Sequence, residues 1–298
     1  MKNFRFPLFV FLMGIVLLAA SCGEKSIEKS EGQKALSLDS AKSNLVNVSG
    51  ELFSIPSPIQ TALLIQESGA EYKPELLNDS KGYSEYETNT QKAMNLGIYG
   101  TDMAYSSLYE DSQKALSYFK AIDNLAKDLG VISAISPDLV KRLGANADNP
   151  DSLVYLIGRF YEEGDAYLKK NERYDIASLV ILGGWIESSH LSAQSATGGN
   201  QAARDRVAQQ KESSSTIVKA LDKTADRNFK KSDLYQVLDS IQEAFASVQS
   251  SYSFEQPQTD AAKKLTVIKS KTDYQVSDSL LNSIAALLES ARTKITEK

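Results

Sequence analysis

Between Met94 and Tyr109 the chain sorts onto three faces when its residues are set at helical spacing. Gly97, Gly100, Ala104 and Ser107 form a stripe of small residues, and Met94, Ile98, Tyr105 and Leu108 an apolar one. Asn95, Tyr99, Asp102, Ser106 and Tyr109 form a third, polar and aromatic stripe. Glycine inside a helix costs about 0.5–1 kcal/mol relative to alanine, so Gly97 and Gly100 imply a return, namely close approach by another backbone. The stretch Ile176 to Ile186 is the natural partner, because it has no charged residue and carries the adjacent pair Gly183 and Gly184. The pattern predicts two central helices that meet at these four glycines.

The same periodicity places further helices around that pair. Paired prolines, Pro56 and Pro58, open a helix from Ile59 to about Glu67 that Gly69 stops. Ser112 to Leu129 carries Ala115, Phe119, Ile122, Leu125 and Ala126 on one stripe and ends at Gly130. Shorter or more polar helices are expected over Pro137–Leu143, Asp151–Lys170 and Gln201–Lys223, the last with only a thin apolar seam of Val207, Ile217, Val218 and Leu221. Ser232–Ser250 and Ser277–Thr296 are strongly amphipathic, and Leu265–Ile268 is a short β-branched run between them. Asp151 and Asp278 are read as helix N-caps. No repeat of solenoid length recurs. The expectation is an all-α fold, an irregular multi-helix bundle of about nine helices around the two central Gly-containing helices.

The first residues change the picture, because they read as an address rather than as fold. A basic start (Lys2, Arg5) precedes an apolar run from Leu8 to Ala20, which is short for a membrane span and suits a secretory leader. Ala19, Ala20 and Ser21 before Cys22 resemble the lipobox of bacterial lipoproteins, with the usual leucine one place early at Leu18. That resemblance implies cleavage after Ser21 and acylation of Cys22, which would hold the protein to a membrane. Residues 1–21 are then the signal peptide, 22–50 a polar tether rich in Glu, Lys and Ser, and 51–298 the helical domain. Gly23 lacks the aspartate associated with inner-membrane retention, so the outer membrane is favoured within the cell envelope. Cys22 is the only cysteine, which leaves no thiol for a disulfide, for catalysis or for a zinc site. A formal net charge of −5 with no basic block argues against nucleic acid as a partner.

Phe53 to Pro58, Asn95 to Tyr109 and Gly183 to Glu187 together resemble a family of uncharacterised all-helical lipoproteins of the Bacteroidetes type. The resemblance covers most of the mature chain and implies a helical fold and an envelope location, with no activity or site attached.

The candidate chemistry is sparse. His190, the only histidine, follows Glu187 by three residues, the Glu-x-x-His spacing by which helical carboxylate proteins aim two metal ligands to one side. Asp102 and Glu110 could complete such a site, but a di-iron bundle needs a second histidine, so no metal or other cofactor is assigned. The alternative is a polar end to a buried helix with His190 near the surface. The Gly-x-His-x-x-Glu motif of imelysin-like envelope proteins is absent, as are a Gly-x-Ser-x-Gly elbow and phosphate-binding glycine loops. Tyr99, Asp102, Tyr105, Tyr109, Trp185, Glu187 and His190 remain as candidate ligand-binding residues. The polar stripe on the first central helix fits two arrangements, an internal network that sets helix register or the lining of a groove for a ligand. The expectation is a non-catalytic module that binds a protein or small ligand, with a cryptic enzyme or metal-binding protein using Glu187, His190 and Asp102 as the alternative.

Overall fold

A computed structural model describes residues 44–48, 51–55, 58–131, 136–146, 149–260, 265–267 and 269–298. The leader, Cys22 and most of the tether lie outside them. Strands β1 (Asn44–Val48) and β2 (Glu51–Ile55) form an antiparallel hairpin, so pairing begins within the segment the sequence reads as tether. Nine α-helices follow among the described residues. They are α1 (Pro58–Glu67), α2 (Asn89–Leu108), α3 (Ser112–Asp128), α4 (Pro137–Ala145), α5 (Pro150–Lys170), α6 (Tyr174–Thr197), α7 (Gln201–Thr224), α8 (Asp233–Ala246) and α9 (Asp278–Thr296). The fold is all-α.

The helix starts are written in side chains. Thr88 and Gln91 form a capping box on α2, and Asp111, Ser136, Asn200 and Ser232 cap α3, α4, α7 and α8. Two expected caps move by one or two residues. Asn149, not Asp151, accepts from the Ser152 N–H at the start of α5, and Ser277 rather than Asp278 caps α9. Gly69, Gly130 and Gly199 take positive φ just beyond α1, α3 and α6, the left-handed conformation that ends a helix without a Cβ penalty.

Helices α2 and α6 form the centre. Every residue of α2 from Ala93 to Leu108 is buried, and α6 is buried on all sides from Leu182 to Ala193. A helix that has no wet face must be surrounded, and α1, α3, α5 and α9 pack on α2 while α1, α7 and α9 pack on α6. The two central backbones touch. A Cβ added to Gly97 would lie 2.1 Å from the Val180 carbonyl oxygen, and one added to Gly183 would lie 1.9 Å from that of Met94. Gly184 N sits against Gly97, the Thr101 hydroxyl donates to Gly184 O (3.3 Å) across the seam, and Gly100 is buried beside them.

Two stretches depart from the helical expectation. Helix α8 ends at Ala246 rather than near Ser250, because the chain turns into a strand pair. Strands β3 (Gln249–Ser253) and β6 (Lys271–Gln275) pair antiparallel, and between them β4 (Gln258–Asp260) pairs with β5 (Leu265–Val267). Together they make a ribbon from Gln249 to Gln275 that no third strand covers among the described residues. The second departure lies between α1 and α2. Residues 70–88 contain only two short 3-10 turns, Pro74–Leu76 and Ser80–Glu85, and form a strap over the polar face of α2.

Candidate functional site

The polar face of α2 meets three other elements: the strap, α6 and α9. The strap has too little regular structure to satisfy its own backbone, and a buried carbonyl without a donor is costly. Side chains supply the donors. Tyr105 and Tyr99 of α2 donate to Glu71 O (3.4 Å) and Asp79 O (2.9 Å), and Tyr109, its C-cap, to Ala70 O (2.7 Å). Tyr118 of α3 donates to Asn78 O (2.7 Å), and Arg292 of α9 to Leu76 O (2.7 Å). Burial pushes the Tyr99 and Tyr118 hydroxyls well above the usual phenol range, so both remain donors. Asn95 donates to Ile295 O (2.8 Å), one of the last-turn carbonyls of α9 that no helical N–H reaches, and accepts from Asn78 (3.2 Å).

The charged centre sits beneath this network. Asp102 and Glu187 have no exposed surface. Asp102 Oδ2 accepts from the Asn78 N–H at 3.1 Å, and Glu187 Oε2 accepts from Arg292 Nε at 2.6 Å. The other oxygen of each carboxyl, Asp102 Oδ1 and Glu187 Oε1, has no donor. Two carboxyls and one guanidinium share this buried volume, and burial disfavours the charged form of each acid. Burial, and then the Glu187 charge, push the Asp102 carboxyl well above the ordinary carboxylate range, while Arg292 and the Asn78 N–H act against it. Glu187 holds the Arg292 guanidinium charged against the cost of its burial, with Asp102 and Glu289 adding to the pull.

His190 does not lie near the surface. It is buried at 1% exposure, one turn along α6 from Glu187. Its Nδ1 comes within 3.1 Å of Glu289 Oε2 on α9 but makes no hydrogen bond there. Burial lowers its pKa and Arg292 lowers it further, against the opposing pull of Glu187 and Glu289, so the ring is neutral at pH 7.

The structure thus brings Asp102, Glu187 and His190 together, with Tyr99 in the adjoining network. It does not bring in the other candidates. Tyr105 and Tyr109 form a separate cluster with Tyr72, whose ring stacks on Tyr109 at 5.1 Å. Trp185 points to the opposite side of α6, donating to Gln210 Oε1 (2.9 Å) and packing on Phe245 of α8 at 6.0 Å. Glu110 is exposed just past the end of α2, with φ 62. The metal arrangement is met by a different fact: Arg292 occupies the position beside Glu187. No three His, Cys, Asp or Glu side chains are placed to hold a metal ion among the described residues.

Arg292, Asn78, Tyr72, Tyr86 and Tyr118 complete these networks and were not among the sequence candidates. Arg292 had a signal, since it follows Leu288 by four residues and falls on the buried stripe of α9 with Leu281, Ile284, Leu288 and Ile295. A charge at such a position calls for a buried counter-charge. No family model, curated protein or solved structure matches the chain, so the reading of this centre rests on its own geometry.

Proposed function

We propose that the chain is a lipid-anchored protein of the cell envelope, held by acylated Cys22 and working by binding a protein partner rather than by catalysis. The observation that carries this reading is where the unsatisfied surface lies. The polar centre is buried within the helices, whereas Tyr252, Phe254, Leu265 and Val267 stand out on the β-ribbon, Tyr252 and Phe254 at 65% and 71% exposure. Both ribbon edges are unpaired among the described residues. A two-stranded ribbon is marginal alone, and such an edge is completed by an extended segment of another protein that adds as a strand. None of the described helices is long and apolar enough to cross a membrane.

The test uses a photo-crosslinker at position 252 in the full chain in its native membranes, compared with one at exposed Lys170. A discrete adduct is expected from position 252 only, lost with Phe254→Ser while the protein stays membrane-bound. Equal crosslinking from both positions would overturn the ribbon as the contact surface. Wild-type protein in the soluble fraction with a free Cys22 thiol would overturn the anchor.

A further inference from the structure

Helix α3 buries Ala115, Tyr118, Ile122 and Leu125 in the core, and the residues between them at helical spacing fall on another side. Against that other side lies the 3-10 turn Ser80–Glu85 of the strap, and a groove of about 450 Å³ runs between the two. Ser80, Lys81 and Tyr83 line it from the strap, and Leu116, Ser117 and Lys120 from α3. The remaining lining groups are two neutral amides, Gln113 and Asn124.

The walls of the groove are tied in place. The Ser80 hydroxyl donates to Ser117 Oγ across it (3.0 Å), and Ser117 donates in turn to Lys114 O (2.7 Å). Tyr83 packs on the hydrophobic core, and Lys298 lies against Gly82 while pairing with Glu85 at 3.0 Å. A site built in advance loses little freedom when it is filled.

Its charge is one-sided. Two lysines line the groove and no aspartate or glutamate does, in a chain whose formal net charge is −5. The acids nearest along the chain are engaged elsewhere: Asp79 accepts from the Lys81 N–H, Glu85 pairs with Lys298, and Asp123 pairs with Lys127. Between the lysines the lining is mainly carbon, from half-buried Tyr83 and Leu116 and from the lysine stems themselves. A concave, mainly apolar site of a few hundred Å³ with a few charged groups is the usual form of a small-molecule site.

We propose that the groove between the strap and α3 binds a small amphiphilic anion, a carboxylate head on a short apolar body. The Lys81 and Lys120 ammonium groups supply charge-assisted hydrogen bonds to the head, and Tyr83 and Leu116 cover the body. No residue of the β-ribbon lines this site, so it stands or falls apart from the protein contact proposed there.

The test titrates the full mature chain by calorimetry with sodium octanoate, sodium acetate and octanamide at one low ionic strength. Octanoate should bind with a Kd of about 1 mM or below, and acetate, which lacks the body, and octanamide, which lacks the charge, at least about fivefold more weakly. The double variant Lys81→Met/Lys120→Met keeps both stems and removes both charges. It should weaken octanoate about fivefold and leave octanamide as it was. Both lysines are exposed, so the variant should unfold at the wild-type urea midpoint. No heat from octanoate up to about 10 mM overturns the site. Equal affinity for octanoate and octanamide, or for octanoate and acetate, overturns the amphiphilic anion as its ligand. Undiminished octanoate binding in the double variant places the ligand elsewhere, on the apolar ribbon among other surfaces, and also overturns it.

Discussion

The central helix pair and the β-ribbon break the usual rule of burial in opposite directions. Inside α2 and α6 lie Asn95, Thr101, Asp102, Ser106, Glu187, Ser188 and His190, all buried. Outside, the ribbon leaves Tyr252, Phe254, Leu265 and Val267 in water. The two inversions have different causes. The buried polar groups serve a backbone account: the strap over α2 bonds to itself only in its short turns, and tyrosine hydroxyls, Asn95 and Arg292 supply donors to its other carbonyls and to the end of α9. The exposed apolar groups are left uncovered by the described residues. A polar core is explained from inside the molecule, and the apolar ribbon, in the function proposed above, from outside it.

The sharpest way to break this comparison is to remove the one cation of the buried centre. Arg292→Leu removes the counter-charge of buried Glu187 and the donor to Leu76 O. Removing one partner of a buried pair costs about 3–5 kcal/mol, and urea unfolding should show a loss of that size. The double variant Glu187→Leu/Arg292→Leu should recover part of it, because no orphaned charge remains. A loss under about 1 kcal/mol for the single variant would mean that water reaches the centre, and the contrast with the ribbon would fail.

The glycine seam comes next. At Gly97 and Gly183 an added methyl would meet backbone atoms of the partner helix, which cannot rotate away. Gly97→Ala and Gly183→Ala should each destabilise the protein by about 1–3 kcal/mol, although alanine is the better helix former. A gain in stability at either position would show that α2 and α6 are not in backbone contact there.

These two sites differ in how far the sequence discloses them. The glycine seam was legible because its signal is local: small residues at helical spacing within otherwise apolar stretches. The ion pair was not, because Glu187 and Arg292 are 105 residues apart and no local pattern pairs them. The strap was equally illegible, since every donor that holds it comes from another element. Trp185 was grouped with Glu187 by nearness in sequence. Two residues along a helix are about 200° apart, however, and the indole went to α7 and α8 instead. The ribbon was half visible, its β-branched run readable as a strand but its partner strands too polar to stand out.

A smaller effect is expected from pH. The folded His190 has a pKa below its ordinary value, held down by burial and Arg292 and held up in part by Glu187 and Glu289. The unfolded chain therefore takes up a proton near pH 6.5 that the folded chain refuses, so stability falls as pH drops from about 6.5 through the folded pKa. Asp102 works the other way: its raised pKa contributes stability in full below pH 4, and this contribution is lost as pH rises through its folded value. Between pH 5 and 7 the two groups oppose each other, so the measure is a difference: the wild-type urea midpoint should gain on that of His190→Asn as pH rises. An equal slope in both proteins would assign the titration to another group and return His190 to the surface.

The smallest effect should come from the ribbon, and its smallness is the prediction. Among the described residues the ribbon is tied to the helices at its base, through buried Val276 and half-buried Tyr274. Along β3 every residue is exposed on both faces, so Tyr252 has no neighbour in the helical core to lose. Its cross-strand partner is Thr272, and a pair of that kind contributes about 0.2–1 kcal/mol to a sheet. Because the helices can unfold or persist without it, Tyr252→Ser and Phe254→Ser should change the global urea midpoint by no more than about 0.5 kcal/mol. Val276→Ser, at the buried base, should cost more than either. A loss above 1 kcal/mol in the tip variants would mean that the ribbon packs against the helical body in solution. Its apolar side chains would then have an internal use after all, and a partner protein would no longer be needed to explain them.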